Sequence, residues 1–406
     1  MNIYQEIKEA LDDIFYKGGY INLIINKRIN NVEKNNQPIF TKIVYGVVEN
    51  KILLDYNINK YLEKEVKKDI QQYLRILSYG VNFTNLTNAL VLNEIVEIIK
   101  TIDHKFVGLV NAVGKKICEN KLTYPIDDKI KMLSIKYSYP EKLVDFLNRM
   151  YEEQIEDILK HPLDTFNTYR INPLKDFNID ELKCPYQLID QAIVTKENLN
   201  NTKWVKNGTL INQNLSSQKV IRIIDKIKGM KVLDMCSAPG SKALMLAEEM
   251  NNFVDILCLD IHQHKIDLIE KQAKIQGVTS IRTKMQDATL FETNEQFDLI
   301  MLDAPCSGLG VMKHKVDLKY QFSFHKLEEI YILQKALLGK AYKLLKENGT
   351  VVYSTCTINK LENEEMIKYF LKKHKDILIE EEYKMLPNDI YDGFYICKMK
   401  KEIKHE

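Results

Sequence analysis

KVLDMCSAPGSKALMLAEEM, residues Lys231–Met250, decides the fold. Its first six residues, Lys231–Cys236, are a short apolar run that predicts a buried strand. Ser237-Ala238-Pro239-Gly240-Ser241 predicts a tight turn, and Lys242–Met250 a helix. A strand, a glycine-containing loop and a helix in succession collect backbone N–H groups at a helix N-terminus, a nest suited to a carboxylate or phosphate. The loop lacks G-x-G-x-x-G spacing, so a pyrophosphate is not the expected occupant.

The same rhythm continues downstream. Asp255–Asp260 (DILCLD) reads as a strand, followed by a helix through Gln276 and a further strand at Ile281–Asp287. Phe297–Asp303 (FDLIMLD) is strongly apolar, a helix covers Lys326–Lys346 until Gly349 stops it, and Thr350–Ser354 (TVVYS) is another buried strand. Such alternation predicts a parallel sheet with helices on both faces and ligands at the C-terminal strand ends. Each strand ends in chemistry: Asp234-Met235-Cys236, Asp260, Asp287, Asp303-Ala304-Pro305-Cys306 and Ser354-Thr355-Cys356. Asp260 is placed to accept from both hydroxyls of a ribose, and Asp287 from an exocyclic amine. One aspartate after a strand is more often a helix cap. Three at successive tips, beside the amide nest, describe an adenosine with an amino-acid tail and no phosphates, which is S-adenosylmethionine.

Upstream, residues 1–118 read as helices. Apolar positions recur at helical spacing in Ile39–Ile52, with Thr41 as a cap, and in Leu86–Ile99. Glu119–Lys131 reads as the exit from this part. Residues 130–215 are mixed: Phe166–Asn172 alternates like a strand, and Asn207-Gly208 between Trp204-Val205 and Leu210-Ile211 predicts a hairpin turn. The expected organisation is multidomain. Residues 1–125 form an all-α part, 126–214 a small α+β connecting subdomain, and 215–406 a Rossmann-like α/β methyltransferase domain.

Composition narrows the class. The 406 residues carry 58 basic against 56 acidic side chains, a net charge of +2, so nucleic-acid binding would rest on local patches. At 45% hydrophobic the chain is not wholly disordered. Glu6, Glu9, Asp12 and Asp13 interrupt any signal-peptide core, and no apolar run is long enough to span a membrane. Seven cysteines without a C-x-x-C pair indicate neither a zinc ribbon nor a disulfide framework. The expectation is a reduced, cytoplasmic protein without a metal site.

Cys118, Cys184, Cys258 and Cys397 have unremarkable surroundings and read as inert thiols. Cys306 and Cys356 lie just past adjacent strand ends, with a helix expected within several residues of each. A thiol beside a methyl donor suits pyrimidine chemistry. Carbon 5 of a pyrimidine is a weak nucleophile, but thiolate addition at carbon 6 makes an enamine whose carbon 5 attacks a sulfonium methyl. A carboxylic acid near ring nitrogen 3 assists, and Asp303 is the nearest candidate in sequence.

These residues resemble a known family. Cys236-Ser237-Ala238-Pro239-Gly240-Ser241-Lys242, Asp303-Ala304-Pro305-Cys306-Ser307-Gly308 and Ser354-Thr355-Cys356-Thr357 are similar to signature segments of RNA cytosine-5 methyltransferases. More narrowly, the chain resembles the bacterial Sun/RsmB group, which methylates a cytosine in small-subunit (16S) ribosomal RNA. Phe106–Ile117, Leu133–Leu147, Tyr169–Lys175 and Asp392-Gly393-Phe394-Tyr395 also fit, and the N-terminal part is similar to the helical RNA-binding NusB fold. The resemblance implies that Cys356 is the nucleophile, that Cys306 assists release, and that Asp303 contacts the base near the donor. It also implies that residues 236–242, Asp260 and Asp287 hold S-adenosylmethionine. DNA cytosine-5 methyltransferases use the Pro-Cys thiol as nucleophile, and the second cysteine here favours the RNA type. The implied partner is small-subunit rRNA, naked or partly assembled, met by a monomer. The target is a cytosine free to leave its stack.

Three departures bear on this. Ser241 replaces the second loop glycine, tolerable if its φ is negative. Gln213-Asn214 stands for a usual Gln-Asp pair, and Lys313-His314-Lys315-Val316-Asp317 for an arginine-rich segment. Lys115, Lys116 and Arg170 are candidate phosphate contacts; exposed lysines on solvated faces are the ordinary reading, and His314 reads equally as a surface residue. Two alternatives stay open: the same chemistry on transfer RNA or another ribosomal cytosine, and a non-catalytic RNA-binding assembly factor.

Overall fold

Residues 2–160 and 166–403 are described by the computed structural model. They fall into two units, 2–160 with Met312–Phe322, and 166–311 with 323–403. The first is helical: α1 (Ile3–Lys17), α2 (Ile21–Arg28), α3 (Gln37–Asn59), α4 (Lys68–Phe83), α5 (Asn88–Ile102), α6 (Val107–Glu119), α7 (Lys129–Tyr137), α8 (Glu141–Asn148) and α9 (Ile155–Leu159). Asn2 opens α1 with a capping box shared with Gln5, and Gly18 closes it at φ 70°. Ile7, Leu11, Phe40, Val44, Val47, Leu74 and Leu77 are fully buried in one core. Thr41 is not a cap: α3 starts earlier, at Gln37, with Pro38 in its first turn. The boundary expected at residue 125 also moves. Ser138, after α7, accepts from the Ile52 amide at 2.7 Å, so α7–α9 belong with the helical unit.

The second unit opens with β1 (Asn167–Ile171), β2 (Gln187–Ile189), β3 (Ala192–Thr195), the one-turn α10 (Lys203–Lys206) and β4 (Leu210–Asn212). These strands form an antiparallel sheet ordered β2-β3-β1-β4. Asn207-Gly208 is not a hairpin turn. Trp204 and Val205 lie in α10, and Gly208 at φ 76° ends that turn, with the Thr209 amide bonded to the Trp204 carbonyl at 2.8 Å.

Then follow α11 (Leu215–Arg222), β5 (Lys231–Asp234), α12 (Ser241–Glu249), β6 (Asp255–Asp260), α13 (Gln263–Gln276), β7 (Ile281–Met285), β8 (Phe297–Asp303), α14 (Leu318–Gln321), α15 (Phe324–Leu344), β9 (Leu345–Thr355), α16 (Glu364–Lys373), β10 (Ile377–Met385) and β11 (Phe394–Lys401). Among the described residues they make a seven-stranded sheet ordered β10-β11-β9-β8-β5-β6-β7. Strands β5 to β9 run parallel, as the alternation predicts. The sheet as a whole is mixed, because β11 returns antiparallel to β9, and β10 antiparallel to β11. Helices cover both faces. Leu233, Leu257 and Ile300 pack with α15 and α16, whereas Val232, Ile256 and Leu299 pack with α11, α12 and α13. Helix α15 stops at Leu344, ahead of Gly349, and the turn residue with positive φ is Asn348 at 58°.

The segment Met312–Phe322 departs from this unit and completes the helical one. Val316 joins the helical core, and the Tyr320 hydroxyl donates to the Val48 carbonyl at 2.8 Å. Lys319, 1% exposed, donates to the Glu49 carbonyl at 2.6 Å, and the Asp317 carboxylate accepts from the Ile21 amide at 3.4 Å. No helix among the described residues is long and apolar enough to cross a membrane.

Candidate functional site

Strands β8 and β9 lie side by side with Asp303 opposite Ser354. The residues just beyond both tips therefore meet. Cys306 and Cys356 bring their sulfurs to 3.4 Å, and all seven cysteines are free. The hydrogen bond to Cys356, together with burial, holds the Cys306 thiol well above its ordinary range. Either sulfur can donate in this contact, so each thiol can hydrogen-bond to the other. No helix starts close behind Cys306, contrary to the reading from sequence: α14 begins only at Leu318, and α16 at Glu364.

Asp303 sits beside the thiols at the end of β8. One oxygen accepts from the Lys242 ammonium at 2.6 Å and the other from the Ser354 hydroxyl at 2.7 Å. Lys242 is itself buried and stems from the first turn of α12, so the glycine loop and the β8 tip are joined by charge. Asp234, at the end of β5, is buried, and burial pushes its carboxyl up to about 7. Burial and the neighbouring Asp234 also push the Cys236 thiol up.

The loop 236–242 is built for an anion. Gly240 is the N-cap of α12 at φ 94° and offers no side chain, so the first-turn amides of Ser241, Lys242 and Ala243 are uncapped. A Cβ on Gly240 would come to 3.1 Å from Ile269. Ser241 is the first helical residue and is absent from the positive-φ positions, so serine is unstrained there. Asp260, 8% exposed, accepts from the His262 amide at 3.1 Å and lies 3.6 Å from the Lys265 ammonium. Asp287 lies two residues beyond β7, is exposed, and accepts from the Thr289 amide and hydroxyl at 2.8 and 2.7 Å. In both aspartates these bonds fall on Oδ1. Uncapped amides for a carboxylate, and acidic acceptors at successive tips for hydroxyls and an amine, fit S-adenosylmethionine.

Arg170 does not serve as a phosphate contact. It is 2% exposed, and its guanidinium is taken up by Gln213 at 2.7 Å, Gln276 at 3.0 Å and the Glu248 carboxylate. Gln213 is therefore a partner of Arg170, and Asn214 caps α11 through the Ser216 amide. Lys115 and Lys116 are exposed on α6. His314 is exposed within the segment that joins the helical unit.

Sequence reasoning missed the layer beneath the thiols. Glu362, 1% exposed, takes hydrogen bonds from Ser307, Asn359 and Gln334. Gly310 donates to the Cys356 carbonyl at 3.0 Å and accepts from Gly393 at 2.9 Å. Asp392-Gly393 stood out in the sequence, but its link to the Cys306 loop needed the β11 pairing.

A family model for 16S rRNA methyltransferase RsmB/F matches residues 221–400, and one for the NusB family matches residues 3–117. The chain is 32% identical to the probable ribosomal RNA small subunit methyltransferase B of Bacillus subtilis, over 97% of each chain. It is 25% identical to ribosomal RNA small subunit methyltransferase B of Photorhabdus laumondii, over 92% of this chain and 91% of that one. The crystal structure of PH0851 shares the fold, with a TM-score of 0.79, 21% identity and 98% of each chain covered. With family models matching both parts of the chain and a relative 32% identical over nearly its whole length, the protein belongs to the family of ribosomal RNA small subunit methyltransferase B, S-adenosylmethionine-dependent methyltransferases with an N-terminal NusB domain.

Proposed function

We propose that the protein methylates carbon 5 of a cytosine in small-subunit rRNA through a covalent adduct between Cys356 and carbon 6. The observation that carries this is the pair of thiols 3.4 Å apart, just beyond the strand ends that carry Asp303 and Ser354. S-adenosylmethionine, when bound, supplies an electrophilic methyl group. Residues 236–242, Asp260 and Asp287 hold it. Cys356, as thiolate, adds to carbon 6, and the electron pair displaced from the C5=C6 bond makes carbon 5 nucleophilic. Asp303 contacts the base, oriented by Lys242 and Ser354. Loss of the carbon 5 proton then restores the double bond as the C6–S bond breaks, with Cys306 assisting that release. The relatives' names support ribosomal RNA as the substrate.

The test is transfer of labelled methyl groups to unmodified small-subunit rRNA. Cys356→Ala is expected to lose at least about a thousandfold in rate. Cys306→Ala is expected to accumulate a protein–RNA adduct that survives denaturing electrophoresis. Full activity in Cys356→Ala, with no adduct in either variant, overturns the roles. Label on transfer RNA alone moves the substrate but keeps the chemistry. Cofactor binding without transfer to any RNA points instead to a binding-only assembly factor.

A further inference from the structure

Glu362 lies six residues after Cys356, in the acidic stretch LENEE, and is buried. Its Oε2 accepts from the Ser307 amide at 2.8 Å and from Gln334 Nε2 at 3.2 Å. Its Oε1 accepts from the Ser307 hydroxyl at 2.5 Å and from Asn359 Nδ2 at 2.9 Å. All four donors are neutral. A buried carboxylate is costly unless hydrogen-bonded, and this cage of donors offsets the cost.

The donors come from both thiol loops. Ser307 follows Cys306 directly, and Asn359 follows Cys356 by three residues. The loops also touch where Ser307 Oγ meets Thr357 Oγ1 at 2.8 Å. Gln334 of α15 spans the carboxylate and the Pro305 carbonyl, the latter at 2.8 Å, so the residues on both sides of Cys306 are fixed. On the β9 side, the Tyr353 hydroxyl donates to the Glu362 carbonyl at 2.7 Å. Four donors need four lone pairs, which a carboxylate has. An amide supplies two lone pairs and points two further N–H groups at donors. Glutamine is therefore a poor replacement at this position despite its matching shape.

We propose that Glu362 is a positioning residue for the two thiols: by tying together the residues that follow each cysteine, it sets the distance between Cys306 and Cys356. The proposal rests on the two-thiol reading of the reaction, and its first test needs neither RNA nor methyl donor. Full-length protein is treated with a diazene oxidant, which takes two electrons and two protons from a thiol pair and leaves a disulfide. Peptide mass spectrometry follows the Cys306–Cys356 link, with Cys306→Ser as the control. Sulfurs already at 3.4 Å need only a short closing movement to the bonded distance of about 2.05 Å.

Glu362→Gln is expected to slow this cross-link about tenfold or more, and Glu362→Asp to recover part of the rate. In transfer assays Glu362→Gln is expected to lower kcat about 10–100-fold, with KM for S-adenosylmethionine unchanged within about twofold. Should Glu362→Gln fail to fold, Asn359→Ala, which removes one donor from the cage, is expected to show a smaller change in the same two readouts. Unchanged cross-linking and kcat in a folded Glu362 variant overturn the proposal. Slower cross-linking in a protein whose wild type transfers no methyl group supports the positioning and overturns the reaction.

Discussion

Lys319 has its ammonium buried, 2.6 Å from the Glu49 carbonyl and 4.4 Å from the centre of the Tyr139 ring. Burial pushes its pKa down from 10.5 to about 7. In the unfolded chain the same group holds its proton up to the higher value. Between pH 7 and 10.5 the unfolded state therefore binds more protons, and stability rises with pH by up to about 1.4 kcal/mol per unit. Urea melts of Lys319→Met are expected to lose that part of the slope and to be relatively more stable at pH 7 than the wild type. A wild-type-minus-variant difference that is flat over this window contradicts the assignment. At this scale the convergence of Cys306, Cys356 and Asp303 was legible because each stands at or just past the end of an apolar strand. Glu362, Lys319 and Arg170 were not. A buried charged residue looks like a surface one until its partners, drawn from distant segments, are known.

Among the elements, the glycines behind the thiol loops are tightly constrained by backbone. A Cβ on Gly310 would fall 1.9 Å from the Gly393 carbonyl oxygen, and one on Gly393 would fall 2.7 Å from the Gly310 Cα. Only two bare backbones fit there, and their hydrogen bond fixes the Cys306 loop against the start of β11. Gly310→Ala is expected to destabilise the second unit by about 2 kcal/mol or more and to cut transfer at least about tenfold. Thermal unfolding of the helical unit should be unaltered, and wild-type activity in this variant removes the argument. The parallel strands were readable from their short apolar runs between helices. Strand β10 was not, because ILIEEEYKM is mostly exposed or half-buried and lies at the sheet edge. Asn207-Gly208 was misread because a left-handed glycine closes a helical turn as well as a hairpin.

For the molecule as a whole, the division into units does not follow the order of the sequence. Residues 312–322 sit inside the span of the second unit yet supply Val316, Lys319 and Tyr320 to the first. No local pattern announces this. The segment is short, and although five of its eleven residues are apolar, nothing in their spacing assigns them to the helical unit rather than to the second. Tyr320 packs edge-on to Phe15 at 6.1 Å and bonds to Val48. Tyr320→Ala is expected to cost the helical unit about 3–5 kcal/mol, and hydrogen exchange should show the loss in α1 and α3. Unchanged protection there means that the segment adds nothing to that fold.

The same arrangement has a cost in time. A ribosome making this chain releases α9 long before it reaches residue 322, and the roughly 160 codons between take about 8–30 s at ~5–20 residues per second. For that interval the N-terminal helices wait without Tyr320 and Lys319, their apolar seat open to the cell's chaperones. The helical unit is therefore completed not when helices α1–α9 have been made but when a segment from deep inside the second unit's span follows them.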